Sequence, residues 1–267
     1  MRALVTGLAA ALLLAAACRS PKASVECPPG ALGAAAWERG LLVLGEFHGT
    51  EEAPAVALAT ACAAARAKGR AWLGLEVPRD EQAAIDRYLA GGDEAALLAT
   101  PWWTREYQDG RSSRGFLELL AKVHTLRLGG VRLEVVAFDV PSTAGFEGRD
   151  EKMAEVIAST QAAHPTRPGV VLVGNIHATR KLQLPRSAAS HLAARKVGLL
   201  TLDMAYDGGT AWACGRTCGL QPLGQRGPGG ARPASGFTLE SPSKGFDGWW
   251  FAGTLTPSPP AIATSRD

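Results

Sequence analysis

Residues 41–48, LLVLGEFH, join a short apolar run to two ionisable side chains at its end. Four later stretches have the same form, each closed by a polar residue: 71–76 (AWLGLE), 133–139 (LEVVAFD), 170–177 (VVLVGNIH) and 197–203 (VGLLTLD). Apolar runs this short are typical of strands buried on both faces, as in a parallel sheet covered by helices. Ligands bind beyond the carboxyl ends of such strands, so the polar endings predict the position of a functional site.

Helical patterns occupy the segments between these runs. Residues 53–68 are rich in Ala, with Pro54 in the first turn and Gly69 just past the end. Further helical stretches are 80–89, 93–99, 116–128, 150–163 and 187–194. The alternation predicts an α/β fold with an open, mainly parallel sheet of five to six strands and helices on both faces. Residues 249–255 (WWFAGTL) are expected to form a last strand at the sheet edge.

The chain divides into three predicted parts. Residues 1–17 have the pattern of a secretory signal peptide, and the following Cys18 completes an AAAC stretch that resembles a bacterial lipobox. Ordinary cleavage near Ala17 and an uncleaved anchor helix are the alternatives. Residues 18–36 then contain the lipidated Cys and a tether, and 37–267 form a single α/β domain with an irregular Gly/Pro-rich C-terminal part. We therefore expect an exported lipoprotein anchored in a bacterial membrane, on the periplasmic or cell-surface side.

The composition is ordinary for a globular protein, with 46% hydrophobic and 20% charged residues and a formal net charge of +3. Basic residues are scattered along the sequence and aromatic residues are few, so we expect no nucleic-acid partner. The expected partners are a small-molecule or peptide substrate and the membrane, through the lipid anchor.

Apart from Cys18, the chain contains four cysteines, an even number that suits an oxidising compartment. Three pairings are open to them. The spacing of Cys214 and Cys218 is most simply that of a small disulfide loop, which leaves Cys27 to pair with Cys62. A redox motif would more usually be Cys-x-x-Cys, and a zinc site would need two further ligands nearby.

Four side chains at the predicted strand ends are the candidate catalytic residues: Glu46, His48, Glu76 and His177. Glu46 and His48 lie two residues apart, so in an extended backbone they project to the same side. Two Glu and two His in one crevice suit a divalent metal such as zinc, manganese or iron, and equally suit a metal-free acid–base site. The plainer alternative is that Glu46 caps the next helix while His48 lies on the surface.

Several further polar residues are candidates for substrate binding. Arg111 and Arg114 lie in the stretch YQDGRSSR (107–114), where they could contact an anionic substrate group. The alternative is a turn at Asp109-Gly110 followed by a serine helix cap. Arg149 and Asn175 complete the predicted set, although Arg149 and the adjacent Asp150 also suit a helix start. Asp139 and Asp203 end strands too, and we rank them second because such acids often cap a following element.

The ordered set GEFH (45–48), Glu76, GRDEKMA (148–154) and GNIHA (174–178) resembles the superfamily that unites erythromycin esterases, ChaN-like haem-binding lipoproteins and the TraB/Tiki proteases. The resemblance covers roughly residues 40–205. It implies that His48 is a general base assisted by Glu46, that Glu76 is a second acid or metal ligand, and that His177 is an oxyanion stabiliser or ligand. Esterases of this superfamily usually place one more residue between Glu and His and are longer chains.

The sequence therefore favours a hydrolase that activates water against an ester, lactone or amide. It contains no Gly-x-Ser-x-Gly motif, which argues against an ordinary serine esterase. The first alternative is a haem- or iron-binding lipoprotein of ChaN type, which would need an exposed axial ligand; Tyr88, Tyr107 and Tyr206 are the only tyrosines, and nothing in the sequence singles one out. A second alternative is a protein that has lost catalysis and binds a partner.

Overall fold

The computed structural model describes residues 25–141, 145, 147–180, 186–228, 232–240 and 245–262. The strands are β1 (Leu41–Glu46), β2 (Ala71–Pro78), β3 (Leu133–Asp139), β4 (Gly169–Gly174), β5 (Leu199–Cys214), β6 (Cys218–Leu223), β7 (Phe237–Leu239) and β8 (Gly248–Leu255). The helices are α1 (Glu52–Lys68), α2 (Gln82–Gly91), α3 (Glu94–Leu98), α4 (Pro101–Thr104), α5 (Arg114–Leu128), α6 (Arg149–Ala163), α7 (Asn175–Ala178) and α8 (Ala188–Ala194). The predicted signal peptide and Cys18 lie outside the described residues.

All eight strands form one sheet, in the order β3-β2-β4-β1-β5-β8-β7, with β6 paired to β5. The contacts from β3 through to β8 are all parallel, whereas β6 and β7 are antiparallel to their partners. The predicted α/β class is confirmed, and the sheet is larger than the five or six strands expected. The additional strands are the hairpin partner β6 and the short β7. Because β7 lies outside β8, the strand at 248–255 is not the edge strand that the sequence predicted.

Apolar side chains on both faces of the sheet explain why its central strands are continuous apolar runs. Leu42 and Leu44 of β1 pack into one core, while Leu41 and Val43 pack into another on the opposite face, as expected for a strand with alternating side chains. The first core includes residues of α1, α2 and α5. The second includes residues of α6 and α8. Helices therefore cover both faces, and the ends of the strands are left for polar residues.

The segment 25–36, which was expected to belong to a tether, lies against the domain in its described part. A disulfide joins Cys27 to Cys62 in α1, and Leu32 is buried with its backbone N–H donating to the Thr60 hydroxyl. A second disulfide joins Cys214 to Cys218 across the β5–β6 hairpin. No helix in the described part of the chain has the length and apolar character needed to span a bilayer.

The strand order decides which polar endings meet. β4 lies between β1 and β2, and the last residue of β1, Glu46, is in register with Gly174 at the end of β4. β3 lies on the other side of β2, with Asp139 in register with Pro78. The carboxyl ends of four strands that are distant in sequence therefore form one continuous edge.

Candidate active site

The pair formed by Glu46 and His48 stands at the end of β1. His48 Nδ1 lies 3.0 Å from Glu46 Oε1, so the buried carboxylate accepts a hydrogen bond from Nδ1–H, and in the neutral ring Nε2 is then the nitrogen without a proton. The His48 side chain is 24% exposed. Burial lowers the pKa of His48, but the negative charges of Glu76 and Glu46 outweigh burial and raise it above 6.5. His48 is thus an oriented base that is partly open to solvent.

Glu76, at the end of β2, is the centre of the charge cluster. Its Oε1 accepts hydrogen bonds from Arg111 at 2.7 Å and from Arg149 at 2.5 Å. Its Oε2 accepts the backbone N–H of Gly174 at 2.7 Å and lies 3.6 Å from His48 Nε2. Burial would raise the pKa of Glu76, but the charges of Arg111 and His48 hold it well below its usual range. Glu76 is therefore ionised at neutral pH and is a poor proton donor.

Gly174 brings β4 close enough for these contacts. A Cβ at this position would lie 2.9 Å from His48 Nε2 and 3.5 Å from Glu76 Oε2. Any other residue would therefore press on the imidazole, so the glycine makes room for the base while its own N–H holds Glu76.

Two arginines bridge the acids of the cluster. Arg111 NH1 donates to Glu76 and, at 3.2 Å, to Asp139, while its Nε and NH2 donate to Asp109. Arg149 donates through Nε to one oxygen of Asp139 and through NH2 to the other. The two guanidinium groups are only 15% and 11% exposed, so their charges are largely desolvated and fixed in place.

His177, in the short helix α7, contacts a charged group on each side of its ring. Nδ1 lies 2.7 Å from Asp150 Oδ1, and Nε2 lies 2.9 Å from Arg149 NH1. Because arginine only donates and a carboxylate only accepts, these partners are satisfied when Nδ1 carries the proton and Nε2 accepts. His177 therefore has no N–H directed at the cluster, and its clearest effect is to position Arg149.

The loop that carries Arg111 is held by the β5–β6 hairpin. The Trp212 indole N–H donates to the Gln108 carbonyl at 3.0 Å, and the Trp212 backbone N–H donates to Gly49 O at 2.9 Å. Gly49 and Gly110 have positive φ, and a Cβ on Gly110 would lie 2.4 Å from the Gly49 backbone nitrogen. The loops after β1 and before α5 therefore pack backbone to backbone beside the site.

No protein-family model matches the chain, and no curated protein matches its sequence. Among solved structures, a mutant of erythromycin esterase EreC in its open conformation matches with a TM-score of 0.60 at 13% identity, over 84% of this chain and 92% of that chain. A crystal structure of a Bacillus cereus protein matches with a TM-score of 0.56 at 13% identity, over 84% and 91%. The chain has the erythromycin esterase fold.

This likeness confirms the erythromycin esterase part of the family resemblance at the level of fold. Identity this low does not carry an activity from one protein to the other. Membership of a lipoprotein branch, and similarity to ChaN or TraB, stay predictions.

Within the erythromycin esterase fold, the four predicted catalytic residues do meet at one edge of the sheet. Of the predicted substrate-binding residues, Arg111 and Arg149 join them. The exposed Arg114 begins α5 outside the ion pairs of the cluster. Asn175 donates a hydrogen bond to Asp203, whose pKa is raised by burial.

Three acids of the cluster were missed or ranked low by the sequence reasoning: Asp109, Asp139 and Asp150. Asp139 had the clearest signal, because it ends a strand whose position next to β2 was not yet known. Asp109 was interpreted as a turn residue and Asp150 as a helix-start charge. Both do occupy such positions, and only the folded chain brings them to Arg111 and His177.

The donor set does not fit a divalent metal. In the described residues, no group of three or more His, Cys, Asp or Glu side chains is arranged to hold one. Arginine donors occupy Glu76 Oε1, both oxygens of Asp139 and Nε2 of His177. A cation among two guanidinium groups would be repelled by them. The structure does not single out one of the three tyrosines as a haem ligand, because Tyr88 and Tyr206 are buried and the exposed Tyr107 takes no part in the cluster. Haem binding stays a prediction.

Proposed function

We propose that this chain is a hydrolase that activates water through His48 and attacks an ester, lactone or amide carbonyl. The observation that carries the proposal is the imidazole of His48, which Glu46 orients through Nδ1 and whose Nε2 lies in a partly open cluster of fixed charges. The erythromycin esterase fold supports the same class of reaction.

The first step is proton transfer from water to His48 Nε2 as the water oxygen bonds to the carbonyl carbon. The resulting imidazolium lies between Glu46 and Glu76, whose negative charges favour the protonated ring. The electron pair of the carbonyl moves to its oxygen and forms a tetrahedral oxyanion. Collapse of this intermediate breaks the bond from carbon to the leaving oxygen or nitrogen, which takes the proton from Nε2 and departs as the alcohol or amine, and the other product is a carboxylic acid.

The oxyanion needs donors that are already in place. Among the hydrogen bonds of the described residues, Arg111 keeps one NH2 hydrogen uncommitted and Arg149 keeps one NH1 hydrogen. These guanidinium groups replace His177 as the proposed oxyanion donors. His177 and Asp150 position Arg149, and Glu76 fixes both arginines without exchanging a proton.

We also propose that the protein acts outside the cytoplasm, anchored through a lipidated Cys18. The support is the signal-like sequence of residues 1–17 and the two disulfides, which suit an oxidising compartment.

The test is a panel of aryl esters, lactones and short peptides assayed with the unchanged protein and with His48→Ala. We expect kcat/KM to fall by about 10²–10⁴, the usual contribution of a general base. The matched control is His164→Ala, which alters a partly exposed histidine outside the cluster and should leave kcat/KM unchanged. The proposal fails if His48→Ala retains full activity, or if no member of the panel is hydrolysed.

A further inference from the structure

The opposite edge of the sheet has a pattern that the proposed hydrolysis does not use. A basic residue precedes each of the five strands β1 to β5 by no more than three positions: Arg39, Arg70, Arg132, Arg167 and Lys196. Because these strands are parallel, their amino ends lie along one edge. We call these five residues the basic edge. These residues are far apart in the sequence, and the fold brings them to one edge.

The basic edge is open to solvent. Four of its five side chains are exposed, and the fifth, Arg167, pairs with Glu134 at 3.1 Å. A groove of about 820 Å³ runs along its β2–β3 side, lined by Arg70, Arg132 and Arg167 together with Arg127 of α5. Asp86 and Glu134 are the acids of that groove, so arginines outnumber acids two to one there. The excess positive charge fits an anionic partner.

Helix dipoles explain only part of this charge. Arg66, Lys68 and Arg127 stand in the last turns of α1 and α5, where cations stabilise the helix C-terminus. Arg132 lies beyond the turn that follows α5 and Arg39 follows a single 3-10 turn, so neither closes a long helix. These positions leave charge available for something outside the chain.

The chain enters the described domain beside this edge. Val25 packs on Gly129 and accepts a hydrogen bond from Arg66, and the Cys27–Cys62 disulfide fixes the segment to α1. Val25 lies seven positions after Cys18. Seven residues span at most about 25 Å. A lipid on Cys18 would therefore hold Val25, which lies beside the basic edge, within about 25 Å of the bilayer, a distance fixed by chain length alone.

An apolar side chain accompanies the charges. Leu128 is 62% exposed, at the end of α5 between Arg127 and Gly129. An exposed large apolar side chain among cations is the combination found on protein surfaces that lie in the membrane interface.

We propose that the basic edge docks on anionic lipid headgroups, with Leu128 entering the interface. The site at the carboxyl ends then faces away from the bilayer, because Glu76 follows Arg70 by six positions along β2, roughly 20 Å at the rise of a strand. This orientation is independent of the chemistry at His48. The limit on the distance from the bilayer depends on lipidation of Cys18, whereas the excess positive charge of the basic edge does not.

The test is co-sedimentation of the full chain with vesicles of phosphatidylcholine alone or with about one-third phosphatidylglycerol. The ratio of binding to the two vesicle types isolates the charge effect, because the apolar N-terminal segment is common to every variant. The unchanged chain should prefer anionic vesicles, and salt at about 0.5 M should abolish the preference. Arg70→Glu with Arg132→Glu should lower the ratio by at least roughly 25-fold, because each lost cation accounts for about five-fold and the new carboxylates add repulsion.

The matched control is Arg186→Glu with Arg216→Glu, which changes the net charge equally at two exposed positions outside the basic edge. It should keep most of the preference. Equal losses in both double variants would overturn the proposal, since net charge rather than location would then decide binding. Tighter binding to heparin than to anionic vesicles would also overturn it, in favour of a soluble polyanion.

Discussion

The two ends of the central sheet hold their charged side chains in opposite ways. At the carboxyl ends, the acids Glu46, Glu76 and Asp139 are buried, and arginines satisfy Glu76 and Asp139. At the amino ends, the residues of the basic edge are mostly exposed. Burial gives a charge a fixed geometry at the expense of solvation, whereas exposure leaves it free to meet a partner. The carboxyl end is therefore suited to catalysis, and the amino end is suited to binding a charged surface.

Of the variants considered, Glu76→Gln at the carboxyl end should have the largest effect on stability. Loss of its charge leaves Arg111 and Arg149 desolvated with fewer anionic partners, so the free energy of unfolding should fall by about 3 kcal/mol. Urea unfolding measures the change. Arg132→Ala, at the basic edge, should stay within about 0.5 kcal/mol because its side chain is exposed. Similar losses of unfolding free energy in both variants would contradict the expected difference between the two ends of the sheet.

The second largest effect on stability should come from acidic pH, through a carboxylate at the carboxyl end of the sheet. Burial raises the pKa of Asp109, but hydrogen bonding and charge from Arg111 outweigh it and lower the pKa to about 2. The unfolded chain, with the higher pKa, takes up this proton first as the pH falls. The stabilisation is therefore complete above about pH 4 and is lost towards pH 2, about 2 kcal/mol for this residue.

Urea unfolding at a series of pH values would show this slope. Asp109→Asn should flatten it. Asp86→Asn, an exposed acid near the amino edge, should leave it as steep as in the unchanged chain. If the dependence of stability on pH is unchanged in Asp109→Asn, other groups cause the acid sensitivity.

Gly174→Ala should have a smaller effect on stability and a clear effect on activity. The added methyl would lie 2.9 Å from His48 Nε2, so the imidazole must shift. We expect kcat/KM to drop about ten-fold and stability to fall by about 1–2 kcal/mol, as for a small overpacking change. Gly198→Ala is the matched control at the amino end of β5, where nothing lies within 4 Å of the added atom. Full activity in Gly174→Ala would mean that the position of His48 does not limit the reaction.

The smallest expected effect concerns pH dependence. The charge of Glu46 helps to raise the pKa of His48, and a general base must be unprotonated to act. Glu46→Gln lowers that pKa, so the rise of kcat/KM with pH should move to lower pH by up to about one unit, together with a lower maximum. Profiles of the two proteins measured side by side would show the shift. An unchanged midpoint would indicate that another group titrates.

Sequence reasoning could predict the strands and their polar endings because both depend on local pattern. It placed Glu46, His48, Glu76 and His177 at one edge, and the structure brings them there. It could not predict that β4 enters between β1 and β2, because strand order depends on long-range packing. The partners of Arg149 were therefore hidden, since they come from β2, β3 and α7.

The basic edge was hidden for the same reason. Its members are far apart in number, and the sequence gives no sign that they share an edge until the strands are seen to be parallel neighbours. Strand five was also expected to end near Leu202, whereas β5 continues to Cys214 and shields the loop that carries Arg111. Nothing local marks a strand that pairs with β1 over 199–202, with β8 over 202–209 and with β6 over 209–214.

The Cys27–Cys62 disulfide has a mechanical consequence for a lipid-anchored protein. If Cys18 carries a lipid and the disulfide is intact, seven residues, counted from Cys18 to Val25, connect the anchor to the domain. If the disulfide is reduced and the segment detaches, the next residue held by the domain is Leu32, and the connection doubles to fourteen residues. The redox state of this disulfide would then determine the range of orientations that the domain can adopt relative to the bilayer.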